Sequence, residues 1–292
     1  MKKVYLAVAV LALIFGFSYC YKKDKTEKTA TEKEAVVNEV KNEEMIVPGY
    51  ALGEIPAISI PEIPNLSVSE NPDAKAILVN NPTYYGICSD LKSIVKLAHE
   101  HNMLVLVDEA HGAHFYFGDN LPISAMAAGA DMAAISMHKT GGSLTQSSIL
   151  LSGERINADY VRQVINLTQT TSASYLLMTS LDTARKNMSI NGKEIFKKTV
   201  EFAEYAREEI NKLGGYYAYG KDLINGDDVF DFDTTKLSIY TKDVGLAGIE
   251  VYDILRDEFN IQIEFGDLDN ILAIISAGDR AMEIERLISS LA

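Results

Sequence analysis

Four short apolar runs decide what this chain can fold into. Residues 76–79 (AILV), 104–107 (LVLV), 132–135 (MAAI) and 148–151 (SILL) are too short for ordinary helices, and none alternates apolar with polar residues. A strand that is apolar on both sides needs cover on both sides, which is the setting of a parallel sheet in an α/β domain. Helical patterns lie between the runs. One spans 89–101, with Leu91, Ile94, Val95 and Ala98 on one stripe, and a briefer one lies around 123–128. Such alternation implies right-handed crossovers and a mostly parallel sheet, the last strand being free to run antiparallel.

The second half has another order. Helices are expected at 156–167, 175–188 and 192–213, the last stopped by Gly214-Gly215. A strand follows at 237–240, a helix at 249–259, strands near 261–265 and 271–275, and a helix from Arg280. This is a smaller α+β unit, so the folded part divides into a large domain (67–188) and a small one (189–292).

The first 66 residues differ from both. Lys2-Lys3 precede the apolar run 4–17, followed by Ser18-Tyr19-Cys20, the pattern of a secretory or lipoprotein signal or a membrane anchor over 1–21. Residues 22–66 form a charged linker in which Pro48, Pro56, Pro61 and Pro64 discourage helix. Of the two cysteines, Cys20 occupies the acylation position of such a signal, and Cys88 is expected to be a small packed residue.

A net charge of −14 and a pI near 4.8 argue against a general phosphate-binding surface, and therefore against nucleic acid as a partner. That bears on VLVDEAH at 105–111, which reads at first sight as the acidic motif of a nucleotide-driven motor. The required phosphate loop has one near match, Gly215 to Lys221, but Asp222 stands where a magnesium-binding hydroxyl belongs. It also follows the acidic motif instead of preceding it. The five histidines, His99, His101, His111, His114 and His138, lie within forty residues but lack the spacing of a metal site, and no metal is expected.

A different pairing carries more chemistry. Asp108 and the segment Ser136-Met137-His138-Lys139-Thr140 both follow buried strands, so both belong at the carboxyl edge of the sheet, where α/β proteins bind ligands. An acid, an amine, hydroxyls and an imidazole at one edge suit pyridoxal 5'-phosphate. The lysine would form the Schiff base, the acid would hold the pyridine nitrogen protonated, and the hydroxyl and imidazole would hold the phosphate. Spacing alone leaves this even with a polar-loop lysine and a turn-capping aspartate.

Five segments in order add a resemblance: Asn81-Pro-Thr-Tyr-Tyr-Gly86, then VLVDEAHGAHFYF (105–117), LPISAMAAGADM (121–132), SMHKTGGSLTQSSILL (136–151) and QTTSASYLLMTSLD (169–182). Together they resemble the major domain of the ornithine/lysine/arginine decarboxylases, pyridoxal-phosphate enzymes of fold type I, in their bacterial branch. The likeness weakens after Lys193 and recovers at FDFDTTKL (230–237) and NIQIEFGDLDNI (260–271). It implies that Lys139 is the Schiff-base lysine and Asp108 the partner of the pyridine nitrogen. It places Ala110 on the ring face with His111 beside it, and Ser136 and His138 at the phosphate. Lys139, Asp108 and His111 are thus the expected catalytic residues, and the implied reaction is α-decarboxylation of a basic amino acid by a homodimer or higher homo-oligomer.

The resemblance begins inside the family's large domain, and the family's C-terminal domain has no counterpart, so a truncated and impaired site is expected. Ala173 and Thr234 stand where the family has proline, Thr234 within an Asp-Pro-x-Lys segment. The family is cytoplasmic, whereas residues 1–21 point to export or membrane attachment. Two other readings follow: another fold-type-I enzyme such as an aminotransferase, and a catalytically dead, membrane-tethered binding protein.

Overall fold

The computed structural model describes Asn71 and residues 73–292. The expected signal or anchor segment and nearly all of the linker lie outside the described residues. The first unit comprises β1 (Ala76–Asn80), β2 (Ile87–Cys88), α1 (Leu91–Glu100), β3 (Leu104–Asp108), β4 (Met132–Ser136), the single turn α2 (Met137–Thr140), β5 (Ser148–Ser152) and α3 (Ala158–Thr168). Its sheet has the order β1-β3-β4-β5. The first two pairings are parallel and β5 runs antiparallel to β4.

Among the described residues, one face of this sheet is packed and the other is only partly covered. Val105, Val107 and Ala133 meet Leu91, Val95 and Ala98 of α1, whose N-terminus is capped by Asp90 accepting from Ser93 N. The opposite face carries Leu78, Leu106, Met132, Ala134 and Leu150 around a hollow that Asp108, Ala110 and Ser136 close at one end. Leu78 is 45% exposed there. The expected helix around 123–128 is instead a turn, with Ala128 N bonded to Ser124 O before Gly129 at φ 95°. Pro122 and Gly129 leave too few residues between them to propagate a helix.

The expected helices at 175–188 and 192–213 are one, α4 (Tyr175–Leu213, 39 residues), which runs across the anticipated domain boundary. Gly192 does not break it. A Cβ there would lie 2.7 Å from Phe117 Cβ, so this glycine serves a close approach.

The second unit continues with β6 (Tyr217–Ala218), β7 (Asp231–Phe232), β8 (Lys236–Tyr240), α5 (Gly248–Asp257), β9 (Phe265–Gly266), β10 (Asn270–Ile274) and α6 (Ala281–Leu291). Its antiparallel sheet, β6-β8-β10-β9, packs Leu237, Ile239, Ile271 and Ala273 against Ala203, Ala206 and Ile210 of α4, Val251 and Leu255 of α5 and Ile284 and Leu287 of α6. The strand expected over 261–265 shrinks to β9, with Glu264 N bonded to Leu272 O just before it. A ribbon that the sequence did not suggest, β2 with β7, ties the two units together through Ile87–Phe232 and Cys88–Asp231. Cys88 is 2% exposed, and burial pushes its thiol pKa well up, in keeping with a packed residue and not a nucleophile.

Candidate active site

Parallel pairing puts the ends of β3 and β4 at one edge. Asp108 closes β3 opposite Ala134, and the chain leaves β4 at Ser136 directly into α2. Met137, fully buried, anchors that turn, and a Cβ on Gly141 would lie 2.6 Å from its Cε. The turn presents Lys139 outward from a rigid base. Asp108 Oδ1 accepts from Ala110 N at 3.1 Å, which sets the carboxylate over the start of the following turn.

The structure joins the two halves of the expected constellation through one contact. Lys139 Nζ lies 3.0 Å from His111 Nε2. Burial is the main cause that lowers the His111 pKa to about 3, helped by the charges of Lys236 and Lys139 and opposed by Asp233. So low a pKa keeps the ring neutral; a neutral ring that accepts from the amine at Nε2 carries its proton on Nδ1, an atom with no hydrogen-bond partner. Burial also lowers the Lys139 pKa, while Asp108 and Glu264 pull it up. Lys139 therefore keeps an amine more readily deprotonated than a surface lysine's. The Tyr84 ring packs edge-on to His111 at 4.4 Å, and its hydroxyl donates to Glu264.

The remaining expected residues take different places. Ser136 is buried beside the hollow with Ala110 and Asp108. His138 Nδ1 is 3.0 Å from Ser147 O, a bond that tethers its ring to the segment entering β5. The other histidines are dispersed. His99 pairs with Asp131 at 2.9 Å, His101 ends α1, and His114 Nε2 lies 3.0 Å from Asp233 Oδ2 without the alignment of a hydrogen bond. No group of three His, Cys, Asp or Glu among the described residues is placed to hold a metal ion.

The alternation of β3 separates Asp108 from its neighbour Glu109. Glu109 is fully buried; its Oε1 accepts from Ala125 N at 2.8 Å and its Oε2 from Tyr116 Oη at 2.5 Å. The second acid of the DEAH stretch is thus a core staple for the loops after β3. The near-match phosphate loop starts at Gly215 behind α4, passes through β6 and ends in a three-residue 3-10 turn at Lys221–Leu223. It lacks the strand–loop–helix setting that cradles phosphates.

Three residues of the site escaped the sequence reading: Tyr84, Glu264 and Lys236. Each lies inside a segment already singled out (81–86, 260–271, 230–237), but the segments meet only after folding. Tyr84 packs tilted and Tyr85 edge-on against Phe265 at 5.2 and 5.7 Å, and Tyr85 Oη donates to Asp267 at 2.7 Å, bringing the loop after β1 onto β9.

The residues fit a pyridoxal-phosphate cofactor. A carboxylate, an amine of lowered pKa and a neutral imidazole converge at one strand edge. His111 Nδ1 and Thr140 Oγ1 are buried polar atoms without partners, as expected of positions that await one.

Comparison with known proteins agrees. Residues 51–283 match the family model described as "Orn/Lys/Arg decarboxylase, major domain". The chain is 48% identical over 222 residues to an arginine decarboxylase of Bacillus subtilis, a match covering 76% of this chain and 45% of the relative. It thus spans about half the length of the curated relatives it matches. Among solved structures, a lysine decarboxylase of Francisella novicida superposes with a TM-score of 0.64 at 23% identity, over 77% of this chain and 38% of that one. An alanine–glyoxylate aminotransferase from Nostoc gives 0.58 at 19%, over 77% and 62%. Both likenesses speak to the fold, a partial fold-type-I large domain followed by a small α+β unit. With a family match over most of its length, this chain belongs to the Orn/Lys/Arg decarboxylases, through their major domain.

Proposed function

We propose that the chain holds pyridoxal 5'-phosphate through Lys139 and Asp108, and that the completed site removes the α-carboxyl group of a basic amino acid as CO2. The observation that carries this reading is the amine of Lys139 at 3.0 Å from a neutral His111, at the same strand edge as Asp108. When bound, the cofactor supplies an electron sink for the pair left at Cα after the carboxyl group departs. Asp108 would meet the pyridine nitrogen, keeping a proton there by the attraction of its charge. Ala110 would pack on the ring face, and Ser136 and His138 would bind the phosphate oxygens. Lys139, deprotonated more easily than a surface lysine, would be the nucleophilic amine that holds the cofactor, and His111 would orient that amine through the contact at Nε2.

Tyr84, from the loop after β1, and Glu264, from the second unit, would close the entrance on the Lys139 side. Glu264, as an acid, suits the positive charge of a basic substrate. Leu167, Tyr175 and Leu176 stand 86%, 83% and 71% exposed along α3 and the start of α4, which supports assembly with a second copy. The experiment is to incubate the full chain with pyridoxal phosphate, reduce with borohydride and map the labelled peptide. A pyridoxyl group on Lys139, followed by release of amine and CO2 from arginine, lysine or ornithine, is the expected result. Label without CO2, and with transfer of the amino group to a keto acid, assigns an aminotransferase. A folded chain without label sinks the reading and favours a binding protein built on an enzyme fold.

A further inference from the structure

Lys236 is a lysine with no exposed surface. Its Nζ has no hydrogen-bond partner, an arrangement that is costly for an ammonium and calls for an anion. Neither nearby acid lies within ion-pair distance of it, and most of their oxygens serve other groups. Asp233 Oδ1 accepts from Thr235 N at 3.1 Å and Thr235 Oγ1 at 2.7 Å, its Oδ2 lies beside His114, and Glu264 accepts from Tyr84.

The backbone that delivers this amine is held firmly. Lys236 opens β8, paired with Ile274, and its carbonyl and that of Thr234 accept from Arg207 Nη2 at 3.1 and 3.0 Å. Arg207, itself buried, also donates from Nε to Tyr219 O at 2.5 Å. Above the lysine stem lies Gly86, at φ 98°, where a Cβ would stand 2.9 Å from Lys236 Cγ. The clamp below and the glycine above fix the stem of the side chain against the loop that carries Tyr84. Burial lowers the Lys236 pKa and the charge of Lys139 adds to this, while Asp233 and Glu264 pull it up; its own charge in turn helps lower that of His111.

We propose that Lys236 is an oxyanion receptor of this site, and that the anion it takes is the α-carboxylate of the amino-acid substrate. The inference rests on the decarboxylase reading above. A substrate amine has to reach the position of the Lys139 amine, and the α-carboxylate is only two bonds from that amine. A buried, unpartnered amine whose stem lies against Gly86, in the loop whose Tyr84 packs on His111, is therefore placed to meet the carboxylate and to be held charged by it. The expected phosphate contacts, Ser136 and His138, belong to the end of β4 and to its tether on Ser147. Holding a carboxylate in the ground state does not by itself speed its departure. Lys236 acts in binding and orientation, and its loss falls on substrate affinity more than on turnover.

Two measurements on the full chain test this. In the cofactor-free protein, the unfolding midpoint is followed in acetate, inorganic phosphate and chloride at equal ionic strength. Acetate is expected to raise it in the wild type and to lose that effect in Lys236→Met and Lys236→Gln, two variants of which at least one should keep the fold by circular dichroism. Protection by phosphate alone would hand Lys236 to the cofactor's phosphate and overturn the assignment, as would no protection by either anion.

In the loaded protein, each amino acid is titrated beside the amine it would yield. Losing one charged hydrogen bond should weaken amino-acid binding by about tenfold or more in Lys236→Met, with amine binding unchanged within about twofold. Equal losses for acid and amine would mean a merely structural lysine and refute the proposal. Failure of Lys139 to take a label removes the decarboxylase reading and leaves the acetate result standing alone.

Discussion

Replacing Glu109 with glutamine should flatten the dependence of stability on pH between 5.5 and 8. Glu109 has no exposed surface, and burial lifts its carboxyl from an ordinary 4.5 to about 7, against the opposing bonds from Tyr116 and Ala125. A carboxyl whose pKa is raised by folding contributes its stability below the unfolded value, and that contribution is lost as pH rises through the folded one. A separation of this size corresponds to about 3 kcal/mol in all. Of that, about 2 kcal/mol is lost between pH 5.5 and 8, a range that stays above the pI near 4.8, where the chain would be least soluble. The assay is urea unfolding of wild type and Glu109→Gln across that range. Glutamine imitates the protonated acid, so any constant cost of the substitution appears as an offset. The signal is the change in the gap between the curves: wild type should lose about 2 kcal/mol more than the variant. Parallel curves would show that Glu109 titrates normally and is not the dry staple described.

Three further outcomes are expected. Asp108→Asn should weaken pyridoxal-phosphate binding by about 10- to 100-fold, the value of a charged hydrogen bond, read by absorbance titration and by loss of the borohydride label on Lys139. Arg207→Met removes donors from the carbonyls of Tyr219, Thr234 and Lys236, and should cost about 3 kcal/mol or more in urea unfolding because those acceptors stay buried. Gly248→Ala would put a Cβ 2.0 Å from Asn270 O, a clash of backbone with backbone, and should destabilise by about 2 kcal/mol or more as α5 is pushed from β10.

The local part of this architecture was written plainly in the chain. The strands at 76, 104, 132 and 148 were legible because each is an uninterrupted apolar run buried in a sheet. Asp108 and Lys139 were legible because strand ends in such a sheet share an edge. Where the reading erred, a long-range contact outweighed a local signal. Separate helices were expected at 175–188 and 192–213, yet α4 runs unbroken through both and passes Phe117 at Gly192. The 123–128 stripe looked helical, but Pro122 and Gly129 confine it to a turn.

Periodicity and strand order thus determined the layers and the sheet edge at which Asp108 and Lys139 fall, since these depend on which face each residue must bury. Tertiary structure alone decided the rest. It aimed Glu109 into the core and Asp108 out of it, and it set the neutral His111 against Lys139. It also carried Tyr84, Lys236 and Glu264 together from positions up to 180 residues apart. No local pattern records such a meeting, because what brings those segments together is the packing of two sheets about one long helix.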